Sequence, residues 1–297
     1  MIGPASSYRG LMSRLLKSSI IFLITTGLWG EMFLPLLIKD AQSWGVGNPR
    51  LVLISGPAAV SSNPTRIGKG QFSLYASHCF WFLGMRKDQL ALSQNIGIID
   101  FGLSLEYFDY GDLEQYPEYP SGEPIGNFPA FDFFFTPGFS LKVPSGRLGL
   151  NVSYLYELIF DESYSSYCLD LVLDYNPITR MDILIGLCDF NPGIRQDTNR
   201  YYPPVSITGG IDYAIGSLVF GGELSYLIHS DDFTASGGVE YTYRRVLSIR
   251  IGVFCLDKVT PTVGLGYHYH GLTIDLGFAQ HPYGLGISKH IGIGFNF

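Results

Sequence analysis

The last eleven residues of the chain, Ile287 to Phe297, alternate with a period of two. Ile287, Ile291, Ile293, Phe295 and Phe297 fall on one face, and Ser288, His290, Gly292, Gly294 and Asn296 on the other. Period two is the signature of a strand with one apolar and one polar face. The same arrangement recurs in segments of about ten residues, the length a tilted strand needs to cross a bilayer. Lipid outside and water inside satisfy such a chain only if the sheet closes on itself. The sequence therefore predicts an all-β transmembrane antiparallel β-barrel. A terminal Phe297 with no tail is the expected signal for the barrel-insertion machinery.

From residue 70 onward fourteen strands are expected, at about 70–83, 89–97, 98–108, 129–142, 147–159, 166–175, 180–190, 204–214, 217–228, 233–244, 246–255, 261–269, 272–280 and 287–297. Every second connection is short, as at Gly97, Pro144-Ser145-Gly146, Asn176-Pro177, Ile215-Gly216, Arg244-Arg245 and His270-Gly271. The two long excursions, 109–128 and 191–203, both follow odd strands. Short periplasmic turns and long outer loops are what an outer-membrane barrel has.

Composition agrees with this reading. The 297 residues include 36 Gly, 20 Tyr and 21 Phe, and only 15% are charged. That suits strands with small residues toward the lumen and aromatic girdles at the rims. A net charge of −7 excludes nucleic acid as a partner, because phosphate binding needs clustered Lys and Arg. At the start, Arg14 and Lys17 precede the apolar run 18–28, so residues 1–30 read as a signal peptide, with Met12 as an alternative start.

Alternation sorts the ionisable groups. Asp100, Glu106, Asp132, Lys142, Glu157, Asp212, Glu223, Glu240, Arg244, Arg250, His268 and Asp275 are expected to point inward. A Lys or Arg on the lipid face at mid-depth costs about 2 to 4 kcal/mol. Asp100, Glu106, Glu223, Glu240, Arg244 and Arg250 are expected to form a lumen charge network, with Arg244 and Arg250 as partners of Glu240 and Glu223. Residues 31–69 do not alternate, and Pro57 and Pro64 exclude a central strand. With Asn63 they are expected to belong to a hatch that plugs the lumen, or to a periplasmic lead-in at the barrel mouth.

Cys79, Cys168, Cys188 and Cys255 show neither CxxC nor metal spacing and read as packing residues. His268, His270 and His290 lie near one another, but no Cys or carboxylate completes a ligand set. No catalytic residue, metal site or cofactor is expected, and the chain reads as a non-enzyme.

Several stretches resemble a known group. Phe33-Leu34, then 40–47 and Gly56-Pro57-Ala58-Ala59 to Asn63-Pro64, are similar to the N-terminal signature of the PorV/PorQ family of outer-membrane proteins, themselves related to FadL-type barrels. Residues 102–112, 126–132 and 163–167 resemble the PorQ branch, and 274–290 the family's closing hairpin. The resemblance implies a fourteen-stranded barrel with an N-terminal hatch that serves a type IX-like secretion system. Its partners are then secretion-system subunits or the C-terminal domains of exported cargo. The segment 46–50 departs from the family pattern, and the outer loops are short for a cargo clamp.

Two functions follow as expectations. The first is a secretion component that binds protein partners through its rim and outer loops, with Tyr107, Tyr110, Tyr116, Tyr119, Arg195, Arg200, Tyr201 and Tyr202 as anchors. The second is a FadL-like passive transporter of hydrophobic small molecules. Its lateral ligand site is expected at Phe134, an aromatic residue on the inward face, and at Pro137, which interrupts a strand. An acidic lumen repels fatty-acid carboxylates, which favours the first reading at this stage. In both, the bacterial outer membrane is the expected location and its lipid bilayer a partner.

Overall fold

The computed structural model describes residues 39–68, 72–116, 123–196, 199–201, 204–255 and 258–297, with only the backbone described for 194–196 and 199–201. The expected signal peptide, Tyr119 and Tyr202 lie outside the described residues. The strands in chain order are β1 (Phe72–Phe80), β2 (Arg86–Ile96), β3 (Ile99–Asp109), β4 (Leu113–Gln115), β5 (Gly126–Phe128) and β6 (Ala130–Val143). There follow β7 (Gly146–Ile159), β8 (Glu162–Ile178), β9 (Met181–Phe190), β10 (Ile194–Gln196), β11 (Asn199–Tyr201) and β12 (Ser206–Ile215). The last six are β13 (Leu218–Leu227), β14 (Asp232–Tyr243), β15 (Leu247–Cys255), β16 (Val259–Tyr269), β17 (Leu272–His281) and β18 (Gly286–Asn296).

Fourteen of these close into one antiparallel barrel. The chain's last strand pairs with its first, from Ser73↔Asn296 to Phe80↔Lys289, so no sheet edge is left open. The other four strands form two separate hairpins, β4–β5 and β10–β11, one on each long loop. The barrel is the fold the alternation predicts. Its largest departure is β8, which starts at Glu162 because the polar stretch 162–165 pairs with 156–159 of β7.

Outward positions carry an apolar belt: Leu171, Leu173, Ile185, Ile211, Ile251, Val263, Leu265, Ile291 and Ile293 are all exposed. Inward positions are polar. Asp100, Glu106, Asp132, Glu157, Asp170, Asp174, Asp212, Arg250 and Asp275 are buried within the lumen. Such charges are tolerable only if the lumen supplies partners, and much of what supplies them is residues 40–67.

That segment fills the barrel as a plug. It opens with the short helix α1 (Ala41–Gly45), whose N-cap Asp40 accepts from the backbone N–H of Gln42 and Ser43. Two 3-10 turns follow, Pro57–Ser61 and Pro64–Arg66, each with its proline at the first position, where no N–H is needed. Asn63 caps the second turn through Thr65 N–H, and its Nδ2 donates to the Leu51 carbonyl at 2.7 Å. Between helix and turns, Val46, Leu51, Val52 and Leu53 pack on Val172, Leu184 and Cys188.

The glycine excess finds its reason here. Inward-facing glycines form the seat of the plug: Gly264 and Gly277 under α1, Gly238 and Gly252 under Val46, and Gly149 under Thr65. At Gly264 an added Cβ would stand 2.7 Å from the Gly45 Cα, too close for any real side chain. At Gly47, φ is +97° and a Cβ would meet the Val253 carbonyl oxygen at 2.5 Å, so both conformation and space demand glycine.

Candidate functional site

The plug is held by two chemistries. Residues 50–66 are clamped by charge. Arg50 Nη2 donates to Asp170 Oδ2 at 2.8 Å and to Asp189 Oδ1 at 3.0 Å. Arg66 spans three carboxylates, Asp212 at 2.6 Å, Asp182 at 2.8 Å and Asp174 at 3.2 Å. Glu223 accepts from Arg50 N–H and Leu51 N–H, both at 2.7 Å. Asp212 accepts from Leu53 N–H at 3.1 Å. Charge-assisted bonds of this kind are about twice as strong as neutral ones.

Residues 39–47 are held otherwise. Trp44 Nε1 donates to Ser288 Oγ at 3.0 Å, Thr262 Oγ1 to the Gly45 carbonyl at 3.3 Å, and Gln42 Nε2 to the Leu53 carbonyl at 3.1 Å. These partners are neutral; Ala41 N–H also donates to Tyr75 Oη at 3.3 Å, Trp44 packs in an apolar cluster with Cys79, Phe108 and Ala279, and glycine backbone lies under the helix.

Against the barrel wall the expected charge network is partly rebuilt. Arg250 joins Glu240 and Asp275, each at 2.5 Å. Glu106 pairs with Lys87 at 2.7 Å, and Asp100 with Arg147 at 2.7 Å and Lys142 at 3.7 Å. Glu223 binds plug backbone instead of a barrel arginine. Arg244 corrects the sequence reading: β14 ends at Tyr243, so Arg244 falls in the turn with φ +50° and its guanidinium lies 5.1 Å above the Tyr243 ring. Alternation assigns a side only while the residue is in extended strand conformation, so it does not govern a residue that has passed into the turn.

The other sequence-derived sites scatter. Phe134 is buried against Leu155 and Cys168. Pro137 is half-buried on the outward face, where the β6–β7 pairing skips Thr136 and Pro137. Tyr110 is not a loop anchor: it turns into the barrel mouth, is buried, and donates to Asp132 Oδ2 at 2.8 Å. Tyr107 is an exposed strand residue with its ring 5.4 Å from that of Phe131, and Tyr116 donates to Glu114 from an exposed position. Arg195, Arg200 and Tyr201 belong to the β10–β11 hairpin, with Arg195 opposite Arg200. Phe297 is exposed, with its N–H on the Phe72 carbonyl and its ring 5.8 Å from that of Phe72. His270 lies in the β16–β17 turn with φ +45°, while His290 is buried beside Ser77 Oγ. Among the described residues, no group of three His, Cys, Asp or Glu is placed to hold a metal, and the four cysteines are free thiols.

Two cavities flank the plug. The first, about 310 Å³, opens at the long-loop end and is walled by Trp44, Trp81, Phe82, Phe254 and Pro282 and also by the charged Lys39, Arg50, Asp189, Glu223 and Lys258. Its aromatic rings touch one another: Trp44 lies 5.9 Å from Trp81 and 5.7 Å from Phe254, and Trp81 stacks on His281 at 5.9 Å. Burial, reinforced by the nearby Arg50 cation, lowers the Lys39 ammonium pKa to about 8. The second cavity, about 360 Å³, opens at the short-turn end and is polar, with Asp40, Gln42, Tyr75, Arg245, His268 and Asp275 among its walls. Neither aromatic wall nor plug arginine carries a sequence motif. The weak signal that could have found the first cavity is Trp44 and Trp81, each flanking a segment that breaks strand alternation.

The architecture has relatives among solved structures. The toluene transporter TodX of P. putida is 14% identical over 87% of this chain and 99% of its own, with a TM-score of 0.63. The toluene transporter TbuX of Ralstonia pickettii is 12% identical over 88% of this chain and 99% of its own, TM-score 0.61. A Pseudomonas aeruginosa FadL homologue is 12% identical over 87% and 98%, TM-score 0.59. The fold is that of a FadL-type barrel. With its closed ladder and apolar belt, the protein is a bacterial outer-membrane β-barrel. No family model and no curated protein sequence matches this chain.

Proposed function

We propose that this barrel is a non-enzymatic, passive conduit for small hydrophobic molecules, which it first captures in the aromatic cavity at the long-loop end. The carrying observation is that cavity. About 310 Å³ with two tryptophans, two phenylalanines and a proline in one part of its wall and charged groups, among them Lys39, Arg50, Asp189 and Glu223, in another suits a ligand of one or two rings or a short acyl chain. The plug beneath it makes the site a binding pocket and not an open pore. Similar solved barrels are described as hydrocarbon channels and toluene transporters, which supports the same reading.

The test is intrinsic fluorescence, since Trp44 and Trp81 both line the cavity. Toluene, and separately decanoate, is titrated into the purified barrel in detergent. Saturable quenching is expected for at least one of them, weakened at least about tenfold by Phe254→Ala, because about 1.4 kcal/mol of apolar contact is lost. Quenching that never saturates, or that Phe254→Ala leaves unchanged, refutes the reading.

A second reading keeps the resemblance to the PorV/PorQ family: a type IX-like secretion component that binds protein partners at its outer surface. Its support is that both long loops fold into hairpins of their own, β4–β5 and β10–β11. Recovery of secretion-system subunits or exported proteins with the barrel from native membranes in mild detergent supports it. A barrel that purifies alone with an extracted hydrophobic molecule supports the conduit.

A further inference from the structure

His281, the last residue of β17, lines the aromatic cavity and is buried. Its ring is packed among three others: it stacks on Trp81 at 5.9 Å, meets Phe82 in a T-shaped contact at 5.1 Å and lies 6.0 Å from Trp44. Nε2 sits 2.9 Å from Ser288 Oγ, which also accepts from Trp44 Nε1 at 3.0 Å. Ser288 is fully buried, and among the described residues its hydroxyl meets only these two partners. An indole N–H can only donate, so the one acceptor open to the Ser288 hydrogen is His281 Nε2. The alternative leaves a buried hydroxyl hydrogen without a bond, which is costly. The chain therefore runs from Trp44 N–H to Ser288 Oγ, and from Ser288 O–H to His281 Nε2. An imidazole that accepts at Nε2 is neutral and carries its proton on Nδ1.

We infer that His281 is the specificity-determining residue of this cavity, its Nδ1–H selecting hydrophobic ligands that carry a neutral oxygen acceptor, such as an aryl ketone, aldehyde or ester, over plain hydrocarbons. Among the described residues Nδ1 has no partner, while Nε2 is bonded and the ring is held by its aromatic neighbours. A second N–H of the same wall, Trp81 Nε1, is buried and also without a partner among the described residues. Buried donors are rarely left unpaired without a reason, and these two stand on the aromatic side of one cavity. Of the charged groups opposite, Arg50 is bonded to Asp170 and Asp189, and Glu223 to the Arg50 and Leu51 N–H groups. Lys258 lies 3.8 Å from the centre of the Tyr283 ring. What the aromatic wall offers a ligand is therefore ring surface with a fixed N–H donor in it, the few placed polar groups by which an apolar pocket selects.

The inference rests on the conduit reading and names its ligand class. The test compares acetophenone with α-methylstyrene, which has the same shape with a CH2 group in place of the carbonyl oxygen. Each is titrated into the full-length barrel in detergent, with tryptophan fluorescence as the readout, for wild type and His281→Phe. Hydrophobicity favours α-methylstyrene in either protein, so the quantity read is the ratio of the two affinities. His281→Phe is expected to shift that ratio toward α-methylstyrene at least about fivefold, as the loss of one hydrogen bond predicts. Should His281→Phe fail to fold, as heat-modifiable mobility shows, His281→Met takes its place with the same expectation. A ratio that the substitution leaves unchanged overturns the inference and leaves the conduit standing, because the hydrocarbon still saturates. So does a wild type in which α-methylstyrene saturates and acetophenone never does. Saturation by neither ligand in wild type refutes the conduit reading and the inference with it.

Discussion

Residues 39–47 and 50–67 occupy the same lumen and differ in how the barrel holds them. The second stretch presents two arginines to five aspartates and its backbone N–H groups to Glu223 and Asp212. Apart from the charged Lys39, the first presents the Trp44 indole N–H, the Gly45 carbonyl and the Ala41 N–H to neutral barrel hydroxyls, and the Gln42 amide to the Leu53 carbonyl of the second stretch. A buried ion pair is costly to break because the group left behind stays charged in a poor solvent. A neutral hydrogen bond contributes only about 0.5 to 1.5 kcal/mol net. One barrel thus holds one part by two arginines set among five aspartates and the other mostly by neutral hydrogen bonds and close backbone packing.

The sharpest way to break this contrast is Arg66→Leu. It leaves Asp174, Asp182 and Asp212 facing one another without their shared cation, which should destabilise the folded barrel by about 3 to 5 kcal/mol. Thermal unfolding in detergent, read by heat-modifiable mobility, measures it. A wild-type transition would mean that the clamp is decorative and the two parts of the plug are alike. Next in size is Glu223→Gln, which keeps the shape but removes the charge that accepts from Arg50 and Leu51 N–H. A loss of about 1.5 to 3 kcal/mol is expected by the same measurement. In the other part, Ser288→Ala leaves the buried Trp44 Nε1–H without its neutral acceptor and should cost about 1 kcal/mol, the low end for an unpaired buried donor. If Ser288→Ala costs as much as Glu223→Gln, the division by chemistry fails.

How much of this was legible in the sequence depends on period. Fourteen strands and their inward carboxylates follow from alternation, because a period of two survives any error that keeps parity. The shared inward side of Arg250 and Glu240 is legible for the same reason, but the expected set of partners also includes Arg244 and Glu223, which the structure places in a turn and on plug backbone. Arg50 and Arg66 were not readable. They sit in a segment without period, and their partners lie 108 to 146 residues away. The glycines were read as lumen residues, which their inward faces bear out, but the cause is the approach of plug backbone, and nothing local in the sequence announces that. The acidic lumen argued against a conduit only while the plug arginines were unplaced. Once Arg50 and Arg66 stand against those carboxylates, much of the acidic charge is paired within the clamp, although Lys39, Arg50, Asp189, Glu223 and Lys258 still line part of the aromatic cavity.

The smallest expected effect belongs to Lys39, at the entrance to the weakly held part. Burial, with the Arg50 cation adding to it, lowers its pKa from the ordinary 10.5 to about 8. A base whose folded pKa lies below its unfolded one binds its proton more weakly when folded, so the proton opposes folding. The penalty is complete below about pH 8, shrinks as pH rises from there to 10.5, and vanishes above. Stability should therefore climb slightly across that window, by less than about 1 kcal/mol because water in the adjoining cavity screens the charge. The climb should be absent in Lys39→Met. Thermal unfolding in detergent between pH 8 and pH 10 reads the climb. An equal climb in Lys39→Met would mean that another group titrates in this window and that residue 39 adds no charge penalty to the weakly held part.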